Sequence, residues 1–196
     1  MAIIMVLAMG AAMIARPAPA QNLVINPGFE DSTDGMTSPG WTLGPTFGFT
    51  SFENNAGDAH TGNWSITFGD TQNVTLSQDI ATVPGTTYLV TFYLTDNNTG
   101  AGGKSFLATL DGQTVLSLTN STATGYQFYS ANIVATSTQS TLSFTAENPP
   151  GQFNLDDVSV EVEGAPAPVP GTGIVSVLAG VAMLVGTRRM RRTTNR

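Results

Sequence analysis

The side chains able to do chemistry in this 196-residue chain are few in kind: fourteen carboxylates, one histidine, four tyrosines, two tryptophans and no cysteine. Without thiols there are no disulfides and no sulfur-ligated metals. The carboxylates include two adjacent pairs, Glu30-Asp31 and Asp156-Asp157. Two carboxylates can act as a glycosidase dyad. Neighbours on a strand point to opposite faces, however, so neither pair makes one active site by itself. His60 stands in His60-Thr61-Gly62, read as a turn-ordering element. No Gly-x-Ser-x-Gly elbow, His-rich metal motif or phosphate-cradling glycine loop is present. The chain reads as non-catalytic, and its acidic loops suit divalent cations.

A sugar site needs rings with an open face, and amides or carboxylates for the hydroxyls. Tyr93 is the ring the pattern favours, because Tyr88, Val90, Phe92 and Leu94 alternate onto the opposite, core face of its strand. Tyr126 or Tyr129 joins it from a neighbouring strand, and Asp96, Asn97 or Gln127 supplies polar contacts. The expected carbohydrate set is Tyr93, Asp96 and Tyr126. Trp41, Trp64 and most phenylalanines read as core.

The elements that must position these residues are strands. All fourteen acids lie between Glu30 and Glu163, where Lys104 is the only base, so that region carries a net charge of −13. Such a domain repels phosphate backbones, which excludes nucleic acid as a partner. Between residues 21 and 163 the sequence is a succession of short apolar-alternating runs bounded by Gly, Pro, Asn and Asp. The expected strands are Leu23–Ile25, Trp64–Phe68, Val74–Val83, Tyr88–Thr95, Ser105–Leu110, Thr114–Leu118, Tyr126–Ala135, Thr141–Ala146 and Phe153–Val162. Asp111-Gly112 is a hairpin turn signal. No internal stretch has helical periodicity. The fold class is all-β, a jelly-roll β-sandwich.

Residues 1–20 read as a signal peptide: an apolar run to Ala15, then Ala18-Pro19-Ala20 with the small-x-small pattern of a cleavage site. Residues 164–172 form a Pro-rich linker, and 173–196 an apolar segment followed by Arg188, Arg189, Arg191 and Arg192. As helix, Gly171 to Thr187 would reach about 26 Å, close to the ~30 Å hydrocarbon core. Its arginines place the C-terminus in the cytoplasm. The fold class thus includes an N-terminal signal helix and a C-terminal transmembrane helix.

Two resemblances add to this reading. Asn22 to Glu30, Trp41 after Gly40, His60 to Ile66 and the closing Phe153 to Val160 resemble, in order, the landmarks of galactose-binding-like jelly rolls, in particular carbohydrate-binding modules. The resemblance implies a structural Ca²⁺ where the first and last strands meet. Its ligands would be Glu30, Asp156 and a backbone carbonyl near Asn63, with Asp31 and Asp157 as substitutes if the register shifts by one. It also implies a polysaccharide or glycan partner, while a structural cell-surface or biofilm matrix protein without a sugar site is the alternative. The tail, with Pro168-Val169-Pro170-Gly171-Thr172 before its apolar segment, resembles PEP-CTERM sorting signals. It lacks the Glu and second Pro of that family's Val-Pro-Glu-Pro. The resemblance implies an exosortase-type processing enzyme as partner, the membrane as an anchor, and a location in the cell envelope, at the surface or outside the cell.

Overall fold

Residues 21–100 and 102–164 are described by the computed structural model. The segment 1–20 expected to be a signal peptide and the segment 173–196 expected to span the membrane lie outside the described residues. So does the linker beyond Gly164.

Alternation decides the architecture. Ten strands form: β1 (Thr42–Leu43), β2 (Thr50–Asn54), β3 (Trp64–Phe68), β4 (Val74–Ala81), β5 (Thr87–Asp96), β6 (Ser105–Leu110), β7 (Gln113–Thr119), β8 (Thr124–Val134), β9 (Gln139–Glu147) and β10 (Phe153–Val162). They make two five-stranded antiparallel sheets, ordered β1-β4-β9-β6-β7 and β2-β3-β10-β5-β8. No helix occurs among the described residues. Each sheet turns one set of alternate residues inward. Val74, Leu76 and Ile80 of β4, Phe106, Ala108 and Leu110 of β6, and Leu142, Phe144 and Ala146 of β9 meet Val90, Phe92 and Leu94 of β5 and Phe153 and Leu155 of β10. Removing these apolar faces from water is the driving force for the sandwich.

Strands β3, β6 and β10 span the residues expected from pattern, and five others differ only at their ends. The expected opening strand Leu23–Ile25 does not form. That segment bridges the two sheets instead. The Leu23 N–H donates to Val160 O (2.9 Å) and the Asn22 side chain bonds the backbone of Val158 and Val160. Further on, the Gln78 side-chain amide of β4 brackets the N–H and C=O of Ile25 (2.7 and 3.0 Å). β1 and β2 escaped the pattern because Gly, Pro and Asn interrupt their surroundings. Asp111 and Gly112 take φ of 54° and 72° between β6 and β7, the conformation a type I′ hairpin requires.

One end of the sandwich is organised by charge. Lys104, the only Lys or Arg among the described residues, is 2% exposed. Its ammonium lies 2.8 Å from Asp96 Oδ2 and donates to Asn98 O (2.7 Å). Asp96 also accepts from Ser121 Oγ, the Asn98 N–H and Asn148 Nδ2. Burial pushes its carboxyl upward, but the bonds from Lys104, Ser121, Asn98 and Asn148 outweigh this and hold it below the usual carboxylate range. Removing one member of a buried pair leaves the other uncompensated. Lys104→Ala should therefore cost about 3–5 kcal/mol of stability, measured by denaturant unfolding, and more than the joint replacement of Lys104 and Asp96 by apolar residues.

Candidate functional site

Two places on the domain gather chemistry. The first is the loop between β2 and β3, which folds over the outer face of the second sheet. Three acids hold it. Glu30 Oε1 accepts the N–H groups of Asn63 and Trp64 (both 2.8 Å). Asp156 is fully buried; its Oδ2 accepts the N–H groups of His60 (2.8 Å) and Thr61 (3.1 Å). Asp157 takes His60 Nδ1 on one oxygen (2.6 Å) and Thr61 Oγ1 on the other (2.7 Å).

Adjacent carboxylates were expected to face opposite ways, and here they do not. A β-bulge between Asp156 and Ser159, with Asp157 at φ 50°, breaks the alternation. A Cβ on Gly28 would meet Asp157 Oδ1 at 3.5 Å, Asp156 Oδ1 at 3.7 Å and Glu30 Cγ at 3.9 Å, so the three acids surround one small space. Gly62, at φ 65°, lies so close to Glu30 that a Cβ would overlap its carboxylate. Asp31 stays exposed and apart, its N–H bonded to Asn26 Oδ1.

These hard oxygen donors have the chemistry a hard cation takes. Glu30 Oε2 accepts no hydrogen bond from the described residues, and the missing side chain of Gly28 leaves room beside Asp156. Asn63, whose neighbouring backbone carbonyl is the expected third ligand, donates its own N–H to Glu30 Oε1. Among the described residues no three His, Asp or Glu side chains stand in metal-ligand geometry. An ion here would complete its shell from carbonyls and water.

The same loop covers the expected sugar platform. His60 stacks on Tyr93 with ring centroids 3.6 Å apart and meets Tyr126 edge-on at 5.1 Å. Tyr126 donates its hydroxyl to Asp58 O (2.6 Å); burial, with Asp156 close by, pushes its phenol well above the ordinary value. Tyr93 and Tyr126 do share a face, as the alternation of β5 and β8 requires, but the loop occupies them. Phe128, 55% exposed, flanks Tyr93 at 5.3 Å. Asp96 is not with them: it is 3% exposed and enclosed by the Lys104 network, so it offers nothing to a ligand on this face. Tyr129 packs against Phe92 (5.7 Å), and the Gln127 amide is turned to Gly125 and Tyr126 carbonyls. Trp41 is core beside Phe29 (5.3 Å), and Trp64 packs half-buried against the core.

The second place escaped sequence reasoning. At the end of the sandwich organised by Lys104 lies a cleft of about 330 Å³ lined by Phe49, Gly69, Asn97, Pro150, Gly151 and Gln152. An adjoining hollow of about 220 Å³ extends it over Thr71 and Pro149. Phe49 is 65% exposed. Asn97 and Gln152 are locked together: the Gln152 N–H donates to Asn97 Oδ1 (2.7 Å) and the Asn97 N–H to Gln152 O (3.0 Å). An exposed ring beside fixed amides is the kind of lining expected of a saccharide site. Phe47-Gly48-Phe49, two rings in a turn between short strands, is the signal that could have disclosed it.

Residues 22–158 match the family described as "Protein of unknown function (DUF642)". The chain belongs to the DUF642 family. No curated protein matches it. Among solved structures, this DUF642 domain is similar to TmCBM61 in complex with β-1,4-galactotriose, at 20% identity and a TM-score of 0.53 over 73% of this chain and 99% of that one. It is similar also to the C-terminal family 22 carbohydrate binding module of Clostridium thermocellum Xyn10B, at 16% identity and 0.53 over 72% and 93%. A third likeness is to the enzymatically active domain of bacteriophage CBA120 tailspike protein 4, at 16% identity and 0.51, over 72% of this chain and 21% of that one. At such identities the likeness is one of fold alone: the DUF642 domain is a β-sandwich of two antiparallel sheets, similar in fold to these structures.

Burial, above all, raises the Asp156 carboxyl of the DUF642 domain to about 6, with the charge of Asp157 adding to it. Because the folded pKa lies above the ordinary 3.8, the folded state binds this proton more tightly than the unfolded chain. The group therefore favours folding below pH 3.8 as fully as it can, and that contribution is lost as pH rises through about 6. In chelator, the melting temperature should be higher near pH 5 than near pH 7.5, and Asp156→Asn should flatten that part of the profile.

Proposed function

We propose that this domain is a non-catalytic carbohydrate-binding module that works outside the cytoplasm, and that its glycan lies against Phe49 and not on the Tyr93 face. The observation that carries the reading is the exposed Phe49 ring over a cleft edged by the Asn97 and Gln152 amides. An aromatic face offers stacking to sugar C–H groups, and fixed amides orient hydroxyls without an ordering cost. The fold likeness supports it, since the similar proteins include one in complex with β-1,4-galactotriose and one described as a carbohydrate binding module. The acids of the His60 loop support a non-catalytic role, because peptide N–H groups, His60 and Thr61 occupy most of their oxygens.

In this reading residues 1–20 direct export, and the tail from residue 164 delivers the domain to the envelope as an exosortase-type substrate or a membrane anchor. A calcium ion held by Glu30 and Asp156 beside Gly28 staples the first segment to β10. It would offset the charge buried at Asp156 and keep the His60 loop seated. Its role is structural, since the loop lies on the second sheet's face and the Phe49 cleft at the sandwich end.

Calorimetric titration of the purified protein against a panel of polysaccharides tests the glycan reading. Phe49→Ala should weaken binding roughly tenfold or more, as loss of an aromatic anchor does. Tyr93→Ala should lower the melting temperature and leave affinity within about twofold. The opposite pattern would move the site to the Tyr93 face, and no saturable binding to any glycan would favour a structural surface protein. Chelation should lower the melting temperature by roughly 5 °C at neutral pH, with calcium restoring it in the parent protein and not in Glu30→Gln.

A further inference from the structure

Asp70 is the one fully buried acid whose carboxylate is left half-satisfied. It is 0% exposed. Its Oδ1 accepts the Phe49 N–H (3.0 Å), while Oδ2 has no partner among the described residues. Its neighbours in the chain, Gly69 and Thr71, and its hydrogen-bond partner Phe49 all line the cleft and its extension. Its own carbonyl accepts the Asn148 N–H (3.1 Å), just before the Pro149-Pro150-Gly151 wall. Asp70 does not itself line the cleft; the residues on either side of it and its bonded partner Phe49 do, so its charge is buried behind the wall they form. A buried acid with an orphaned oxygen is costly, and within the described residues no cation relieves it. Lys104, the only candidate, is engaged by Asp96.

The rest of the surface has the same sign. Of the fourteen carboxylates only Asp70, Asp96 and Asp156 are buried, and among the described residues no Lys or Arg is exposed. A low-dielectric cleft focuses such a field. An acidic glycan would be repelled, a neutral one would leave Asp70 uncompensated, and a cationic one would be drawn in.

We propose that the cleft selects amine-bearing sugars, the ring of a 2-amino-2-deoxyhexose unit lying on Phe49 with its ammonium toward Asp70 and its hydroxyls toward Asn97 and Gln152. This rests on the carbohydrate-binding reading and names the class of glycan. Titration of the full chain with hexamers of glucosamine, N-acetylglucosamine and glucose, at low salt and mildly acid pH, tests it. The glucosamine hexamer should bind at least about tenfold tighter than the other two, the preference a buried negative charge behind the cleft wall gives a cation in a low-dielectric site. Asp70→Asn, which keeps the acceptor for the Phe49 N–H, should bring the three within about twofold by weakening the amine form alone. Glu161→Gln with Glu163→Gln, at the far end of β10, should leave the preference intact.

Equal or tighter binding of the acetylated or neutral hexamer overturns the amine assignment and leaves the carbohydrate reading standing. A preference that survives Asp70→Asn, or disappears in the Glu161 and Glu163 double variant, assigns it to general surface charge and overturns the role of Asp70. The wild-type comparison and the Glu161 and Glu163 control need no change at position 70, so both hold if Asp70→Asn folds poorly. Saturable binding of some other glycan, with none of these three, also overturns the amine assignment; binding of no glycan at all is the failure of the parent reading.

Discussion

The ion pair between Lys104 and Asp96 is the constraint on which the exposed chemistry of this domain depends. A lone buried ammonium in a strongly acidic domain has to be enclosed by carbonyls and a carboxylate, and enclosing it fixes several segments at once. Asp96 ends β5 and Lys104 precedes β6. Asn98 ties them to Asn148 (2.7 Å) and Pro149 O (3.2 Å) after β9. Gly100 caps on Asn98 Oδ1 (2.7 Å), and a Cβ on Gly151 would overlap the Asn98 side chain. Asn97 to Gly100 and the loop after β9 are therefore tied down, and the cleft they wall with Phe49 is held ready. Polar networks of this kind rigidify when every member is satisfied, and preorganisation is what lets a small cleft bind without a large ordering cost.

A second, independent anchor operates on the outer face of the second sheet. There Glu30, Asp156 and Asp157 bind the peptide groups and side chains of residues 60–64, and His60 is pressed between Asp157 and Tyr93. The bulge in β10 makes this possible by turning two consecutive acids to one side. The consequence for function is negative as well as positive. The tyrosines that an isolated strand would offer to a ligand are instead the floor on which the loop rests, and the most exposed ring of the cleft is Phe49 at the sandwich end.

Much of the fold was legible because strand signals are local. Ser105–Leu110, Asp111-Gly112 and Phe153–Val162 declare themselves by alternation and turn chemistry within a few residues. β1 and β2 did not, since strands of two and five residues among glycines carry too little pattern. Leu23–Ile25 had the composition of a strand yet bridges two sheets, because its hydrogen-bond partners come from β10 and from the Gln78 side chain, more than fifty residues away. In the candidate site, Tyr93 and Tyr126 sharing a face followed from periodicity, whereas the removal of Asp96 from that face did not.

By itself the sequence determined that the described region is an all-β sandwich, that its surface is anionic, and which side of each long strand enters the core. Those properties follow from composition and a two-residue repeat, and neither requires knowing what lies opposite. Only the tertiary structure decided which polar and aromatic groups remain available. Availability depends on what folds over a residue, and the loop on Tyr93 and the ammonium on Asp96 are set by segments distant in the chain. The burial of a group is a property of its neighbours in space, which no local pattern records.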